Sequence, residues 1–275
     1  MIKTVAIQGA KGSNHHKVAR DYYGEDILLK ECLSFDTLVD SLLDKTSSQA
    51  IMAIENTIAG SIIPNYALID KYNLHICGER YLNIHHHLMA LPNQKIEDIK
   101  EVCSHPMALL QCKEFFKQYP HIKLVEDVDT AEVAKRIEKH QLKGVAAIAP
   151  KIAAEIFGLE ILEDDIQTMK DNSTRFVIIQ TEQPNNGIDQ INKASIKFQL
   201  DHKRGSLAAI LNVLSDCKMN LTKIQSLPVI ETPWKYAFFV DVTFDAYEDY
   251  KKAKSIVEIM ATKFKVLGEY KNAKI

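Results

Sequence analysis

The 275-residue chain is short of the features that mark secreted, membrane-spanning or metal-structured proteins. It has only five cysteines, Cys32, Cys77, Cys103, Cys112 and Cys217, an odd number with no Cys-x-x-Cys pair. That argues against a disulfide framework and against a structural zinc site. Neither sign of charge dominates: Lys plus Arg total 34 and Asp plus Glu 36, a formal net charge of −2. No global field therefore draws the chain to nucleic acid or to an anionic membrane. No apolar run approaches the roughly 20 residues that a bilayer demands. The first residues enter a strand-like Thr4-Val5-Ala6-Ile7 without the apolar core and small-residue cleavage site of a signal peptide, so a cytoplasmic location is expected. Gly9-Ala10-Lys11-Gly12 satisfies neither G-x-G-x-x-G nor the P-loop pattern. No cofactor and no metal is expected.

What is present is ordinary globular material, 46% hydrophobic and 25% charged, enough for one large or two modest domains. Short apolar runs alternate with amphipathic segments through the first two-thirds. Strands are read at Thr4–Ile7, Ile27–Leu29 and Ala50–Ile54, and helices over Ser13–Tyr23 and Ser34–Leu43, with Gly60-Ser61 opening a third helix. The rhythm restarts at Glu101-Val102-Cys103, with helices expected over His105–Phe116, Thr130–His140 and Lys151–Phe157. Repeated βαβ units imply a mostly parallel sheet in each of two α/β lobes, with a cleft between them. The β-rich stretch Leu74–Leu91 is read as the bridge between lobes.

A polar segment with Pro and Gly, Glu182-Gln183-Pro184-Asn185-Asn186-Gly187, reads as a linker. Beyond it strands are read at Ala194–Leu200, Leu221–Val229, Tyr236–Phe244 and Val266–Tyr270, with helices over Gly205–Lys218 and Asp249–Phe264. The order βαββαβ is the ferredoxin-like pattern.

Three tracts could carry chemistry. Two are glycine turns beside a strand end: Gln8 to Ser13, and Glu55-Asn56-Thr57-Ile58-Ala59-Gly60-Ser61. Glycine admits close backbone approach, and the N–H groups of a helix start favour anions. Read alone, each is more often a cap. The third is Asp171-Asn172-Ser173-Thr174-Arg175-Phe176. Arg175 offers bidentate donors to a carboxylate, Thr174 a neutral hydroxyl donor, and Asn172 both a donor and an acceptor. The alternative is a strand start with its arginine on a solvent face. His105-Pro106 reads as a helix cap. His85-His86-His87 resembles a metal-ligand run, but in an extended segment His86 points away from its neighbours, and no nearby Asp, Glu or Cys completes a shell.

Together and in this order, these blocks resemble the prephenate dehydratase family, and the last part resembles an ACT domain. Gly9, Gly12, Ser13 and His16 keep the family's N-terminal turn, with Ala10 for its proline and Asn14 for its aromatic. Ile54 to Ile62 is similar to I-E-N-S-x-x-G-S-V, with Thr57 for serine. His105 to Cys112 is similar to H-P-Q-A-L-x-Q-C, with Met107 for glutamine. Asp129-Thr130-Ala131 stands where S-T-A is usual, and Asn172 to Phe176 matches N-x-T-R-F in full. In the last part, Gly205-Ser206-Leu207-Ala208 is similar to G-A-L-[VA], and Asn220-Leu221-Thr222-Lys223-Ile224 is a close match. Gln225-Ser226-Leu227-Pro228 replaces E-S-R-P and loses both charges.

The resemblance implies an α/β fold: a two-lobed, periplasmic-binding-protein-like dehydratase domain over residues 1–182, a linker over 183–193, and a ferredoxin-like ACT domain over 194–275. The lobes are placed at about 1–76 with 160–182, and at 77–159. It implies decarboxylating dehydration of prephenate to phenylpyruvate in phenylalanine biosynthesis, without a cofactor. Thr174, Arg175 and Asn172 are the implied catalytic group. Gly12, Ser13, Asn56, Thr57, Gly60, Ser61, Thr130 and Phe176 are the implied substrate contacts, and Glu55 is turned away from the dianion. L-Phenylalanine is the implied effector, at Gly205, Ser206, Leu207, Ala208, Asn220, Leu221, Thr222, Gln225 and Ser226, in a homodimer or homotetramer joined through the ACT domains. Arogenate, with an amine in place of the keto group, is the alternative substrate. A non-catalytic small-molecule binder is the alternative of another class, opposed by the Thr174-Arg175 pair, for which a binder has no chemical use.

Overall fold

A computed structural model describes residues 4–184, 187, 190–201, 203–229 and 235–274. The elements run, in chain order, β1 (Thr4–Gln8), α1 (Asn14–Tyr23), β2 (Leu28–Cys32), α2 (Phe35–Leu43), β3 (Gln49–Asn56), β4 (Gly60–Ser61), α3 (Ile63–Lys71) and β5 (His75–Asn83). Then come β6 (His87–Ala90), β7 (Glu101–Ser104), α4 (Pro106–Cys112), β8 (Lys123–Glu126), α5 (Thr130–His140), β9 (Val145–Ala149), α6 (Lys151–Phe157), β10 (Glu160–Glu163) and β11 (Ser173–Gln180). The last set is β12 (Lys193–Gln199), α7 (Ser206–Asp216), β13 (Asn220–Pro228), β14 (Tyr236–Thr243), α8 (Tyr247–Met260) and β15 (Lys263–Tyr270). By internal contacts the chain forms two compact units, Met1–Gly60 with Tyr81–Phe176, and Ser61–Arg80 with Val177–Ile275.

Three sheets organise the chain. The first has the order β2-β1-β3-β11-β5 with β4 attached to β3, the second β10-β6-β9-β7-β8, and the third β13-β14-β12-β15. β1 pairs in parallel with β2 and β3, and β7 with β8 and β9, as βαβ crossovers require. The second sheet is mixed, because β6 lies antiparallel to both β9 and β10.

Its strands are apolar on consecutive residues because both faces are covered. Ala146 and Ile148 of β9 join the cluster under α4, whereas Ala147 and Ala149 join the cluster of Val133, Ala134 and Ile137 of α5 with Ala153 and Ala154 of α6.

Helix starts follow local chemistry. Ser13 caps α1, Asp129 caps α5 by accepting from Ala131 N and Glu132 N, and Ser34 with Thr37 forms a capping box on α2. Three expectations are corrected. Gly60-Ser61 opens no helix: it is strand β4, and α3 starts at Ile63 behind Ile62, which lacks a capping side chain. The helix read to Phe116 ends at Cys112, where a short 3-10 turn, Phe115–Gln118, takes over. The helix read to Phe264 ends at Met260, because Lys263 and Phe264 are held in the β12–β15 ladder opposite Gln199 and Phe198. The β-rich stretch Leu74–Leu91 holds β5, in the first sheet, and β6, in the second. Asn185 and Asn186 of the linker lie outside the described residues.

The last six elements have the order βαββαβ, with β12 and β14 central and all three described pairings antiparallel. Their core includes Ile196, Phe198, Ile210, Leu214, Val240, Val242, Tyr250 and Val257. In the same compact unit this sheet packs on the segment from Ser61 to Arg80. Lys193 of β12 meets Glu79 of β5 with both oxygens at 2.9 Å, both side chains being buried. Lys197 pairs with Asp70, Lys265 donates to Asn73 Oδ1 at 2.8 Å, and the rings of Tyr66 and Phe239 meet at 5.4 Å.

Candidate active site

Residues far apart in the sequence meet at the ends of β3 and β11. The amide of Asn56 is oriented without ambiguity, since its Oδ1 accepts from two backbone donors, Ile58 N at 2.9 Å and Ala59 N at 2.8 Å. Its Nδ2 must then be the donor, and it reaches Asn172 Oδ1 at 2.7 Å and Thr174 Oγ1 at 3.0 Å. Because Asn172 Oδ1 accepts, its Nδ2 donates, to Gln111 Oε1 at 3.0 Å. The same Gln111 oxygen lies 2.8 Å from His86 Nε2, so His86 carries its proton on Nε2. Around this chain Ser173 and Thr57 bond reciprocally, Thr57 N to Ser173 O and Ser173 N to Thr57 Oγ1, each at 2.9 Å.

The consequence falls on Thr174. A hydroxyl has one proton to give, and Asn56 occupies an acceptor position on Oγ1. Among the described residues no acceptor is in reach of the Thr174 proton. The hydroxyl is thus pre-set as a donor to whatever ligand arrives. Arg175 is buried within β11 rather than on a solvent face, and Asn172 is buried as well. Phe176, expected as a substrate contact, lies in the core, with its ring edge-on to His15 at 5.0 Å. Thr130 is the half-buried first residue of α5.

The turn after β1 is built differently from its expected use. Gly9 N donates to Cys32 O, Lys11 N to Glu31 Oε2, Gly12 N to His16 Nδ1 and Ser13 N to Ala10 O. Ala10 N bonds to the Asp129 carboxylate, whose pKa is raised above the ordinary value by burial despite its backbone donors. Every amide from Gly9 to Ser13 is engaged, and Ser13 Oγ caps α1 at His16 N. The free N–H groups expected at Gly12 and Ser13 are therefore absent, because His16 Nδ1 takes the first and Ala10 O the second. Gly12, at φ +91°, is needed for close approach instead. A Cβ there would stand 3.1 Å from Ala153 Cα and from Phe157 Cε2 of α6. Gly60, at φ +80°, has open space around it.

The histidine run also reads differently in three dimensions. His85 Nδ1 lies 2.6 Å from Asp165 Oδ1 and His87 Nδ1 2.9 Å from Asp164 Oδ1, so the carboxylates that the local sequence lacks come from a distant loop. Among the described residues no group of three His, Cys, Asp or Glu side chains is arranged to hold a metal ion. His86 points the other way, into the site. His105 Nδ1 accepts from Met107 N, as a cap does. Gln111 and His86 had not been singled out as site residues. Gln111 lies within the His105–Cys112 block, and His86 within the histidine run, where its facing opposite to His85 and His87 is the local sign.

His15 is buried without a partner for Nε2. Burial lowers its pKa from 6.5 to about 3. Its folded pKa lies below the unfolded one, so its contribution to stability is full above pH 6.5 and lost progressively as the pH falls from there toward 3. The expected loss from this residue is about 2 kcal/mol between pH 8 and pH 5. His15→Leu should flatten that slope in urea titrations at the two pH values. An unchanged slope would refute the assignment.

In the ferredoxin-like part the expected effector residues fall on two elements, α7 with its N-cap and β13. Ser206 and Leu207 line a cavity of about 150 Å³ with Leu200, Asp201, Lys203, Lys235, Tyr236 and Phe238. Gly205 is the left-handed N-cap of α7 and Ala208 lies in that helix. Asn220, Leu221, Thr222, Gln225 and Ser226 instead form β13, an edge strand separated from β12 by β14. Gln225 Nε2 bonds locally to Ser226 O, and Leu227 is buried. His202 lies outside the described residues.

Comparison with known proteins gives a consistent answer. The family model described as prephenate dehydratase matches residues 5–184. An arogenate dehydratase/prephenate dehydratase 2 of Arabidopsis thaliana, a chloroplast protein, is 36% identical over 97% of this chain and 72% of its own length. The crystal structure of a prephenate dehydratase from Staphylococcus aureus is 25% identical with a TM-score of 0.82, covering 97% of this chain and 99% of that one. A prephenate dehydratase from Arthrobacter aurescens, solved in complex with L-Phe, has the same fold: TM-score 0.84 at 24% identity, covering 98% and 90%.

Proposed function

This chain belongs to the prephenate dehydratase family, and from that premise we propose that it converts prephenate to phenylpyruvate, carbon dioxide and water in phenylalanine biosynthesis. The observation that carries the mechanism is the Asn56–Thr174 hydrogen bond, which leaves the Thr174 proton for the substrate. Prephenate loses a ring hydroxyl as its ring carboxylate leaves as carbon dioxide, and aromatisation drives the step. Hydroxide is a poor leaving group, so a positioned donor on that oxygen lowers the barrier. Threonine is a weak acid, so Thr174 supplies a hydrogen bond and orientation rather than a full proton. Arg175 takes a carboxylate, and so does the Gly60–Ser61 turn. Asn172, Gln111 and His86 hold Asn56 and hence Thr174.

The name of the Arabidopsis relative includes arogenate dehydratase, so the two substrates belong in one assay. Side-by-side kinetics on prephenate and arogenate test the reading, and turnover of neither would refute it. Asn56→Asp is the sharpest probe of the hydrogen-bond chain. A carboxylate at residue 56 cannot donate and would instead draw the Thr174 proton inward. The expected kcat falls at least about tenfold, the low end for losing a preorganised donor. A kcat within twofold of wild type would rule the chain out as a positioning device.

The two-lobed arrangement over residues 1–182 is proposed to work as in binding proteins, with the ligand taken between lobes. The βαββαβ segment is proposed to be an ACT domain with L-phenylalanine as effector. The cavity beside Ser206 and Leu207 supports a small ligand there. The exposed Leu221 and Ile224 on edge strand β13 support pairing into a homodimer or homotetramer. Phenylalanine titration followed by activity and calorimetry tests the effector. Among the described residues no helix is long and apolar enough to cross a membrane, and a cytoplasmic location is proposed.

A further inference from the structure

Strand β13 carries an irregularity that matters for Lys223. Its register with β14 shifts between Leu221, opposite Val242, and Lys223, opposite Asp241. An extra residue of this kind re-aims the side chains around it. The half-buried Lys223 reaches the loop that follows β3: its Nζ donates to Ser61 Oγ at 2.7 Å and lies 6.0 Å from the centre of the Tyr66 ring.

The chemistry of that bond is directional. An ammonium can only donate, so Ser61 Oγ accepts and its own proton points elsewhere. Among the described residues no acceptor is in reach of that proton. Ser61 therefore stands in the same state as Thr174, a hydroxyl pinned as acceptor on one side and available as donor on the other. Here the pinning group is charged, which makes the bond stronger and the hydroxyl a better donor. The preceding Gly60 is exposed, so a ligand oxygen can approach the turn.

We propose that Lys223 is a positioning residue for the substrate: through Ser61 it holds the Gly60–Ser61 turn as a donor and sets its positive charge beside the carboxylate that this turn takes. This rests on the reading of the chain as a dehydratase of a dicarboxylate such as prephenate. It adds that substrate recognition draws on a residue outside the segment matched by the family model, which ends at residue 184. Lys223 lies in the Asn220–Ser226 stretch where an effector is expected, so a ligand that displaced β13 would weaken substrate binding through this bond.

The test uses the full-length chain with Lys223→Met, Lys223→Arg, Ser61→Ala and the Lys223→Met/Ser61→Ala double variant. Kinetics on prephenate, prephenate titration by calorimetry and thermal melting are measured on each. Lys223→Met should raise KM and Kd about tenfold or more, the loss typical of a hydrogen bond to a charged group, with kcat within about threefold. Lys223→Arg should recover most of the affinity. The double variant should be no worse than the poorer single one, because both act on one interaction. Equal prephenate affinity of wild type and Lys223→Met, or additive losses in the double variant, would overturn the role of Lys223. Failure of the wild type to turn over substrate would overturn the dehydratase reading separately, since binding is measured independently of turnover.

Discussion

Thr174→Val should lower kcat on prephenate by on the order of 10²–10³, with KM little changed. Valine keeps the shape and removes only the hydroxyl, so the loss reports the donor. The reasoning rests on which atom holds which proton. Ile58 N and Ala59 N fix the Asn56 amide and Asn56 Nδ2 then donates to Thr174 Oγ1, which leaves the threonine proton for the role proposed for it at the leaving hydroxyl. An interaction made with the departing oxygen strengthens as charge develops there, which places its effect on kcat rather than on binding. Thr174→Ser retains the donor and should recover most of the rate, separating loss of the hydroxyl from disturbance of β11. Activity of the Thr174→Val variant above about a tenth of wild type would sink the assignment, because that is less than the smallest usual effect of such a donor.

Lys193→Met should destabilise the protein by about 3–5 kcal/mol, seen as a fall in Tm on the order of 10 °C. Lys193 and Glu79 are both buried, and Glu79 Oε1 also accepts from Ala273 N at 3.1 Å. Removing the lysine takes the ammonium away from a buried carboxylate, and the cost is that of a lost charge partner in a buried site rather than of one neutral contact. The double variant Lys193→Met/Glu79→Leu should therefore recover much or all of the loss, since an apolar pair of similar volume needs no desolvation of charge. Urea unfolding of the three proteins decides the matter. A single-variant loss below about 1 kcal/mol, far short of the usual cost of breaking a buried pair, would mean that the pair is not what holds β12 to β5.

Much of the fold was legible because it depends on local pattern. The apolar runs at Thr4–Ile7 and Ala50–Ile54, the serine at the start of the Ser34–Leu43 helix, and the βαββαβ order of the last third each need only a few neighbouring residues. Element ends were less legible. Gly60-Ser61 became a strand because β3 offered it a partner, and Lys263-Phe264 became one because β12 did; hydrogen-bond partners outweighed local propensity in both.

The site was legible in its parts. Asn56, Thr57, Asn172, Thr174 and Arg175 could be named, but their relations could not. Asn56 and Thr174 lie 118 residues apart, and Asn172 and Gln111 lie 61 apart. Gln111 and His86 acquire meaning only as the members that orient Asn172. The turn at Gly9–Ser13 shows the converse: its glycines look like an anion cradle until Glu31, His16 and Asp129 are seen to take its amides.

The sequence by itself determined most of the elements, their order and the family, because hydrophobic period, capping and short motifs are properties of adjacent residues. Tertiary structure alone decided how the carboxamides, hydroxyls and charges are satisfied. A hydrogen bond constrains both partners, so the direction of the Thr174 and Ser61 protons follows from Asn56 and Lys223, whose proximity no local pattern contains.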